Sequence, residues 1–372
     1  MRIGYIFNSS MPSSNPGSLQ VIKTCEALLK LNNQVELITP NTGLNVSVKK
    51  FYNLKKVPII NKLKFFKKFP IGINYYLFSI FAVIYSIKYN FDFVITRNPF
   101  TLFILTLFKK KVIIEFHHDL SIESRIVRFI FYNFNILNNK NIIKIIAITK
   151  NVKRFLIKDL NVNPDKIDII ASATDLKFKF DILKNKKKLN IGYFGSLEQG
   201  KGADFVFKLS KLDSLNNYFV YGGSVKKVQE IKKIYKNYNL NIYNYKPYSE
   251  LVKYISSMDV LLMPANKNII KATGGVGNLS KFTSPLKLFD YLASGKLIIS
   301  TKLNVLKEII THNVNCIMIE NLNLLNWLKE INHVPFKLEK VNLLKKNAFY
   351  LSKKYTYHKR AEAILKNIKI DK

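Results

Sequence analysis

The chain has 372 residues, nearly half of them apolar, and a formal net charge of +36. That length suits two domains better than one, and the apolar content leaves burial unrestricted. The only cysteines, Cys25 and Cys316, lie far apart with no Cys or His neighbour at ligand spacing, which excludes a disulfide framework and a structural metal site and suits a reducing compartment. Lys, Asn and Ile are overused throughout, so part of the charge reflects composition; the rest calls for an anionic partner such as lipid or a phosphorylated substrate. No zinc finger, RNP-type aromatic motif or uninterrupted basic tail is present, so nucleic acid is not the expected partner.

Taken along the chain, Ile3 to Phe7 reads as a first strand rather than a signal peptide. Ser9 to Gly17 is a loop rich in Ser, Pro and Gly, Leu19 to Leu31 a helix, and Gln34 to Thr39 a second strand. Tyr75 to Ile87 is the longest apolar stretch; it falls short of the roughly 20 residues a membrane span needs and is expected to be a buried helix. Strands follow at Phe93 to Thr96, Val112 to Glu115 and Ile143 to Ile148. Strands separated by helices imply parallel βαβ units and a doubly wound sheet. The Lys-rich stretch Lys177 to Lys188 reads as a linker. A second alternating set begins at Leu189, with strands at Ile191 to Phe194, Tyr218 to Tyr221, Asn241 to Tyr243, Val260 to Met263, Leu297 to Ser300 and Cys316 to Ile319. Beyond this duplication no short repeat is evident.

Two segments carry chemistry. In the run from Ser284 to Thr301, Ser284 suits an N-cap and Pro285 the first helical turn. Leu286, Phe289 and Ala293 share one helical face; Lys287, Asp290 and Ser294 share another; Gly295 ends the helix before a short buried strand. An open helix N-terminus beside a Lys and an Asp is a ready site for a diphosphate. Upstream, Gly192-Tyr-Phe-Gly-Ser-Leu-Glu-Gln-Gly-Lys-Gly follows one expected strand and precedes a helix, so its glycines allow close backbone approach and Lys201 can place a compact charge on a phosphate. No Asp-x-Asp pair occurs to hold a catalytic metal. Gly274-Gly-Val-Gly follows no strand of a βαβ unit, so it reads as a mobile loop near that diphosphate site and not as a dinucleotide fingerprint.

These segments resemble the signatures of the GT-B glycosyltransferases of family 4, the "glycosyl transferases group 1" type. The resemblance implies an α/β fold with two Rossmann-like doubly wound domains facing a central cleft. Residues 1–175 would form the acceptor-side domain, residues 189–354 the nucleotide-sugar domain, and a C-terminal helix within 355–372 would pack back on the first. It further implies retaining transfer from a nucleotide-diphospho-sugar to a hydroxyl; with no Asp-x-Asp pair, no metal is expected, and no cofactor beyond the donor. SPLKLFDYLASGKLIIST matches the donor-site signature, with Asp290 at the acidic position that holds the ribose and Phe282 where the family carries another Glu. Lys201 and Gly202 match a Lys-Gly that clamps the leaving diphosphate, while Ser196 replaces the Arg of that clamp. Tyr245 and Lys246 fall in the segment that meets the nucleobase. Ser172-Ala-Thr-Asp-Leu resembles the turn that closes the first domain. In Val112-Ile-Ile-Glu-Phe-His-His-Asp-Leu, His117 takes the place of a His that contacts the transferred sugar, with Arg97 and Glu115 as supporting residues.

By that resemblance His117, Asp290 and Lys201 are the catalytic candidates. The donor-binding set is Gly17, Gly195, Ser196, Lys201, Gly202, Tyr245, Lys246, Ser284, Leu286, Lys287 and Asp290. The acceptor would be a glycan or a lipid-linked molecule in envelope or polysaccharide assembly. Two basic clusters interleaved with aromatics fit an anionic membrane surface: Lys49 to Lys68, with Phe51, Tyr52, Phe65 and Phe66, and Arg125 and Arg128 among Phe129, Phe131, Tyr132 and Phe134. The expected location is cytoplasmic, peripheral at the inner face of the membrane. The alternatives are a catalytically inactive GT-B scaffold at the membrane, favoured by the changes at Phe282 and Ser196, and a phosphorylase of the same architecture.

Overall fold

The computed structural model describes residues 1–64, 70–236, 238–271 and 277–368. The chain divides into two compact units, Met1–Ser172 with Tyr357–Lys372, and Ala173–Thr356.

Seven parallel strands form the sheet of the first unit: β1 (Arg2–Ile6), β2 (Gln34–Pro40), β3 (Ile59–Leu63), β4 (Phe93–Thr96), β5 (Val112–Phe116), β6 (Ile142–Ala147) and β7 (Ile167–Ile169). Their order is β3-β2-β1-β4-β5-β6-β7, so the winding reverses between β1 and β4. Every residue of β4 and β5 is buried, as strands covered on both faces must be. The helices are α1 (Pro16–Lys30), α2 (Val48–Tyr52), α3 (Ile71–Lys88), α4 (Pro99–Leu107), α5 (Arg125–Asn133) and α6 (Lys150–Leu160). Asn15, Asn98, Ser124 and Thr149 close the first turns of α1, α4, α5 and α6 with side-chain oxygens.

Several expectations shift here. Helix α1 starts at Pro16 and not Leu19, because Asn15 caps it and Pro16 suits the first position, which puts Gly17 inside the helix. Strands β3 and β7 had no clear sequence signal: one is a partly exposed edge and the other three residues long. Helix α3 is not buried all round, since Ile73, Ile80, Phe81 and Ile84 are exposed. Among the described residues no helix is long and apolar enough to cross a membrane.

The second unit carries β8 (Asn190–Phe194), β9 (Asn217–Tyr221), β10 (Leu240–Tyr243), β11 (Val260–Met263), β12 (Leu297–Thr301) and β13 (Ile317–Ile319), in the order β10-β9-β8-β11-β12-β13. Its helices are α7 (Ala203–Leu212), α8 (Val225–Ile234), α9 (Leu251–Ser256), α10 (Leu286–Ser294), α11 (Leu324–Asn332) and α12 (Leu338–Ser352). Trp327 of α11 anchors the core against Phe205 of α7 and donates its indole N–H to Asn321 O at 2.9 Å. The stretch read as a linker is held in place: Leu183 is buried, and Asn342 grips its backbone N–H at 2.7 Å and carbonyl at 3.0 Å. The last helix, α13 (Tyr357–Leu365), belongs to the first unit, where it packs on α1. There the Lys144 ammonium donates to the carbonyls of Ala363 at 3.1 Å and Lys366 at 2.7 Å, closing its C-terminal end.

Candidate active site

A doubly wound sheet opens a crevice at the carboxyl ends of the strands where its winding reverses. In the second unit that point lies between β8 and β11. The loops leaving these two strands are bonded to each other, Asn266 N–H to Gly200 O at 2.8 Å and Lys271 N–H to Gln199 O at 3.1 Å. The buried Tyr193 hydroxyl sits 2.9 Å from Ser196 O and 3.0 Å from Lys201 O and fastens the loop from beneath. Ser196 Oγ accepts from the Glu198 N–H at 3.2 Å. Gly202, with φ +99°, is the cap of α7, and a Cβ there would lie 2.2 Å from Pro264 O.

Lys287, in the first turn of α10, points back at this loop. Its Nζ is shielded from solvent and hydrogen-bonds to nothing among the described residues. It stands 4.0 Å from the centre of the Tyr193 ring, a cation–π contact. A Cβ added to Gly195, whose φ is +155°, would come 3.1 Å from that ammonium. Burial, and next the charge of Lys201, hold the Lys287 pKa down at about 7. Burial also lowers Lys201, opposed by Glu198. An unpaired buried cation costs free energy unless an anion joins it, so the Lys287 ammonium is placed to take an anion.

The N-terminus of α10 differs in detail from expectation. Pro285, extended at φ −71° and ψ 126°, is itself the cap, and no side chain closes the turn; Ser284 lies one residue further out and Leu286 begins the helix. Asp290, one turn on, is buried, and its Oδ1 accepts from Thr174 Oγ1 at 2.6 Å. The Tyr248 hydroxyl also bonds it; burial wins over both bonds and raises the Asp290 pKa to about 7. Tyr291 accepts the Phe194 N–H at 2.7 Å and ties α10 to the end of β8. Gly195, Ser196, Lys201, Gly202 and Lys287 are thus assembled at one strand end, while Asp290 is engaged by hydroxyls of its own unit. Tyr245 is partly exposed and bonds through its N–H to Gly223 O at 3.0 Å; the Lys246 ammonium lies 5.5 Å from the Tyr254 ring. Gly274 to Val276, read as a mobile loop, lie outside the described residues.

The sequence reading passed over three features of this unit. Tyr193 supports both the loop and Lys287, and Thr174 with Tyr248 holds Asp290. Phe194, Tyr221 and Tyr243, the last residues of three neighbouring strands, stack in a row at 4.7 and 4.8 Å. The row was detectable in principle, because each of the three strand runs ends in an aromatic.

In the first unit, Gly17 O faces the Arg97 guanidinium at 3.4 Å. His117 follows β5, and its Nε2 bonds the buried Glu115 carboxylate. Burial, and next the Arg97 charge, hold the His117 pKa down at about 3, so the ring is neutral. Burial pushes Glu115 upward, but the Arg360 charge, the bond and charge of His117 and the Arg97 charge together outweigh it and keep the carboxyl well below its usual range. Arg360 comes from α13, 245 residues away, and no sequence pattern linked the two. His118 turns instead to the Asp119 carbonyl.

Family models match nearly the whole chain: Glycosyltransferase Family 4 over residues 18–178 and Glycosyl transferases group 1 over residues 175–349. The chain belongs to the family 4, group 1 glycosyltransferases. Solved structures share its GT-B fold. Alr3699/HepE of Anabaena, solved in complex with UDP-glucose, is 12% identical, with 98% of this chain and 100% of that one aligned at a TM-score of 0.70. Sucrose-phosphate synthase of Thermosynechococcus elongatus is 13% identical, with 97% of each chain aligned at 0.72. WaaG, a glycosyltransferase involved in lipopolysaccharide biosynthesis, is 12% identical, with 98% of this chain and 100% of that one aligned at 0.68. No curated protein matches the sequence.

Proposed function

We propose that this glycosyltransferase is a retaining, metal-independent enzyme that moves a sugar from a nucleoside diphosphate-sugar to a hydroxyl of a glycan or lipid-linked acceptor. The observation that carries the donor reading is the Lys287 ammonium, buried without a partner beside Gly195. When the bond from the sugar C1 to the diphosphate oxygen breaks, its electron pair stays on that oxygen. Stabilising charge is therefore needed at the diphosphate. Lys201, Lys287 and the uncapped start of α10 supply it here from the protein itself, which supports the metal-free reading. Retention of configuration follows from the family resemblance, as does the role of His117 at the transferred sugar.

The setting we propose is envelope or polysaccharide assembly at the cytoplasmic face of a membrane. Helix α5 supports it: Ile126, Phe129 and Tyr132 are exposed next to Arg125 and Arg128, with Phe134 just beyond, while Val127 and Phe131 point inward. Such a face suits the headgroup layer of anionic lipid. The first basic cluster contributes less than its sequence suggests, since Tyr52 is buried with its hydroxyl bonded to Ser13 O at 2.7 Å; Phe65 and Phe66 lie outside the described residues.

The test is turnover of a panel of nucleotide-sugars, UDP-glucose first, on lipid-linked and free glycan acceptors, with the product anomer read by NMR. The expected product keeps the donor's anomeric configuration, and EDTA leaves the rate unchanged. An inverted anomer would overturn the retaining assignment, and loss of activity in EDTA restored by added metal would overturn the metal-free one.

A further inference from the structure

We propose that Arg360 of α13 and Glu115 of β5 are positioning residues that set which ring nitrogen of His117 carries the proton, leaving Nδ1 as a hydrogen-bond acceptor toward the sugar. The proposal rests on the reading of His117 as the residue that meets the transferred sugar.

The geometry fixes each proton. Glu115 Oε2 receives Arg360 Nη2, while Oε1 receives His117 Nε2, with Gln20 Nε2 at 3.4 Å and Arg97 Nε at 3.9 Å. The side chains of Arg360 and Glu115 are each only 2% exposed, so water cannot substitute for either. Arg360 is itself immobilised, with Nη1 donating to Ile170 O at 2.8 Å and Ala171 O at 2.6 Å. Every group facing the carboxylate is a donor, so Glu115 acts only as an acceptor, which requires it to be ionised. A neutral imidazole that donates from Nε2 carries its lone pair on Nδ1. A sugar hydroxyl can donate to that lone pair, whereas a protonated Nδ1 would face it as a second donor.

Arg360 therefore acts through Glu115. Without the guanidinium, the dry carboxylate would bind a proton or pull one onto the ring. A protonated Glu115 donates to Nε2 and moves the ring proton to Nδ1; an imidazolium is protonated at both nitrogens. Both outcomes convert Nδ1 from acceptor to donor. The C-terminal helix thus carries a determinant of donor-sugar recognition as well as packing surface for α1.

The test uses the full chain labelled with ¹⁵N-histidine, with the His117 signals identified by their loss in His117→Gln. In the unsubstituted protein Nδ1 should resonate as an unprotonated nitrogen and Nε2 as a protonated one. In Arg360→Met the proton should appear on Nδ1. Glu115→Gln, which keeps Arg360 and covers failure of the first variant to fold, should do the same, because the amide oxygen stays with Arg360 and the amide N–H turns to Nε2. Turnover of the nucleotide-sugar should fall about 10- to 100-fold in both, taking the scale on which hydrogen-bond partners of metal-ligating histidines act. Affinity for the free nucleoside diphosphate, whose contacts lie in the second unit, should be unchanged, and unaltered backbone amide spectra of the first unit would separate the tautomer effect from a disrupted fold. An unprotonated Nδ1 in both variants would overturn the proposal. Unimpaired turnover in His117→Gln, with the tautomer shift still present in the other two, would instead overturn the functional reading of His117.

Discussion

Replacing Lys287 by Met separates what this buried ammonium costs the fold from what it contributes to binding. The ammonium is buried, unpartnered and held at about 7 in place of 10.5. In the unfolded chain the amine keeps its proton up to its ordinary pKa, and in the folded chain only to about 7, so this residue makes stability rise as pH climbs from 7 toward 10.5. At about 1.4 kcal/mol per unit, keeping the amine there at pH 7 costs the ligand-free protein on the order of 4 kcal/mol. Lys287→Met should therefore be more stable than the parent near neutral pH and should lose that pH dependence. It should also bind the nucleoside diphosphate about 10- to 150-fold more weakly, since a charge-assisted hydrogen bond is worth about 1.5–3 kcal/mol. Calorimetry supplies a second signature. A diphosphate that restores the ammonium should draw in roughly 0.9 proton at pH 8, seen as a binding enthalpy that varies with the buffer's ionisation enthalpy. Binding with no proton uptake, together with equal affinity in Lys287→Met, would refute the assignment of this lysine to the diphosphate.

Asp290→Asn tests the other group on α10. Its carboxyl is raised to about 7, so its contribution to stability is present below its ordinary value and lost as pH rises through 7; the variant should show a flatter unfolding temperature between pH 4 and 7 and a modest loss of nucleotide affinity. An unaltered pH profile would show that the carboxyl titrates normally. On α5, Arg125→Gln with Arg128→Gln removes two charges worth about 1 kcal/mol each near anionic lipid, and should weaken co-sedimentation with anionic vesicles about 30-fold at low salt. Equal, negligible binding of the parent to neutral and anionic vesicles would rule out the membrane role.

The doubly wound architecture was legible because strands buried on both faces appear as apolar runs such as Val260-Leu-Leu-Met, between helices that open with Asn, Ser or Thr. What failed was local. Edge strand β3 has an exposed, mixed sequence, and α3 reads as uniformly apolar although its neighbours cover only one side. Within the site, spacing placed Lys201 and Lys287 on loop and helix but could not say that their charges face each other, because that depends on how α10 docks on the end of β8 through Tyr291. Arg360 was out of reach for a related reason. Its partner is set by a tertiary contact across 245 positions, and a lone Arg in a Lys-rich tail carries no signal of burial.

The two units treat buried charge in opposite ways. Around His117 each ionised group is answered: Glu115 by Arg360 and by the ring, and Arg360 again by two carbonyls. That arrangement pairs every charge without ligand, though the Arg360 Nε itself is buried without a hydrogen-bond partner among the described residues, and it fixes a geometry. On α10, Lys287 and Asp290 are both displaced to about 7, from opposite directions and mainly by burial. Their effects on stability oppose each other, one falling up to pH 7 and the other rising beyond it, so the ligand-free second unit carries the largest penalty from these two groups near neutrality. A ligand that brings phosphate to Lys287 and a hydroxyl to Asp290 relieves both at once. The binding energy then depends on one molecule presenting the two groups one helical turn apart, and a nucleoside diphosphate, with its phosphates and ribose hydroxyls in fixed succession, does so. Inorganic diphosphate offers only the first, so it should stabilise the second unit through Lys287 while leaving the pH dependence owed to Asp290 in place.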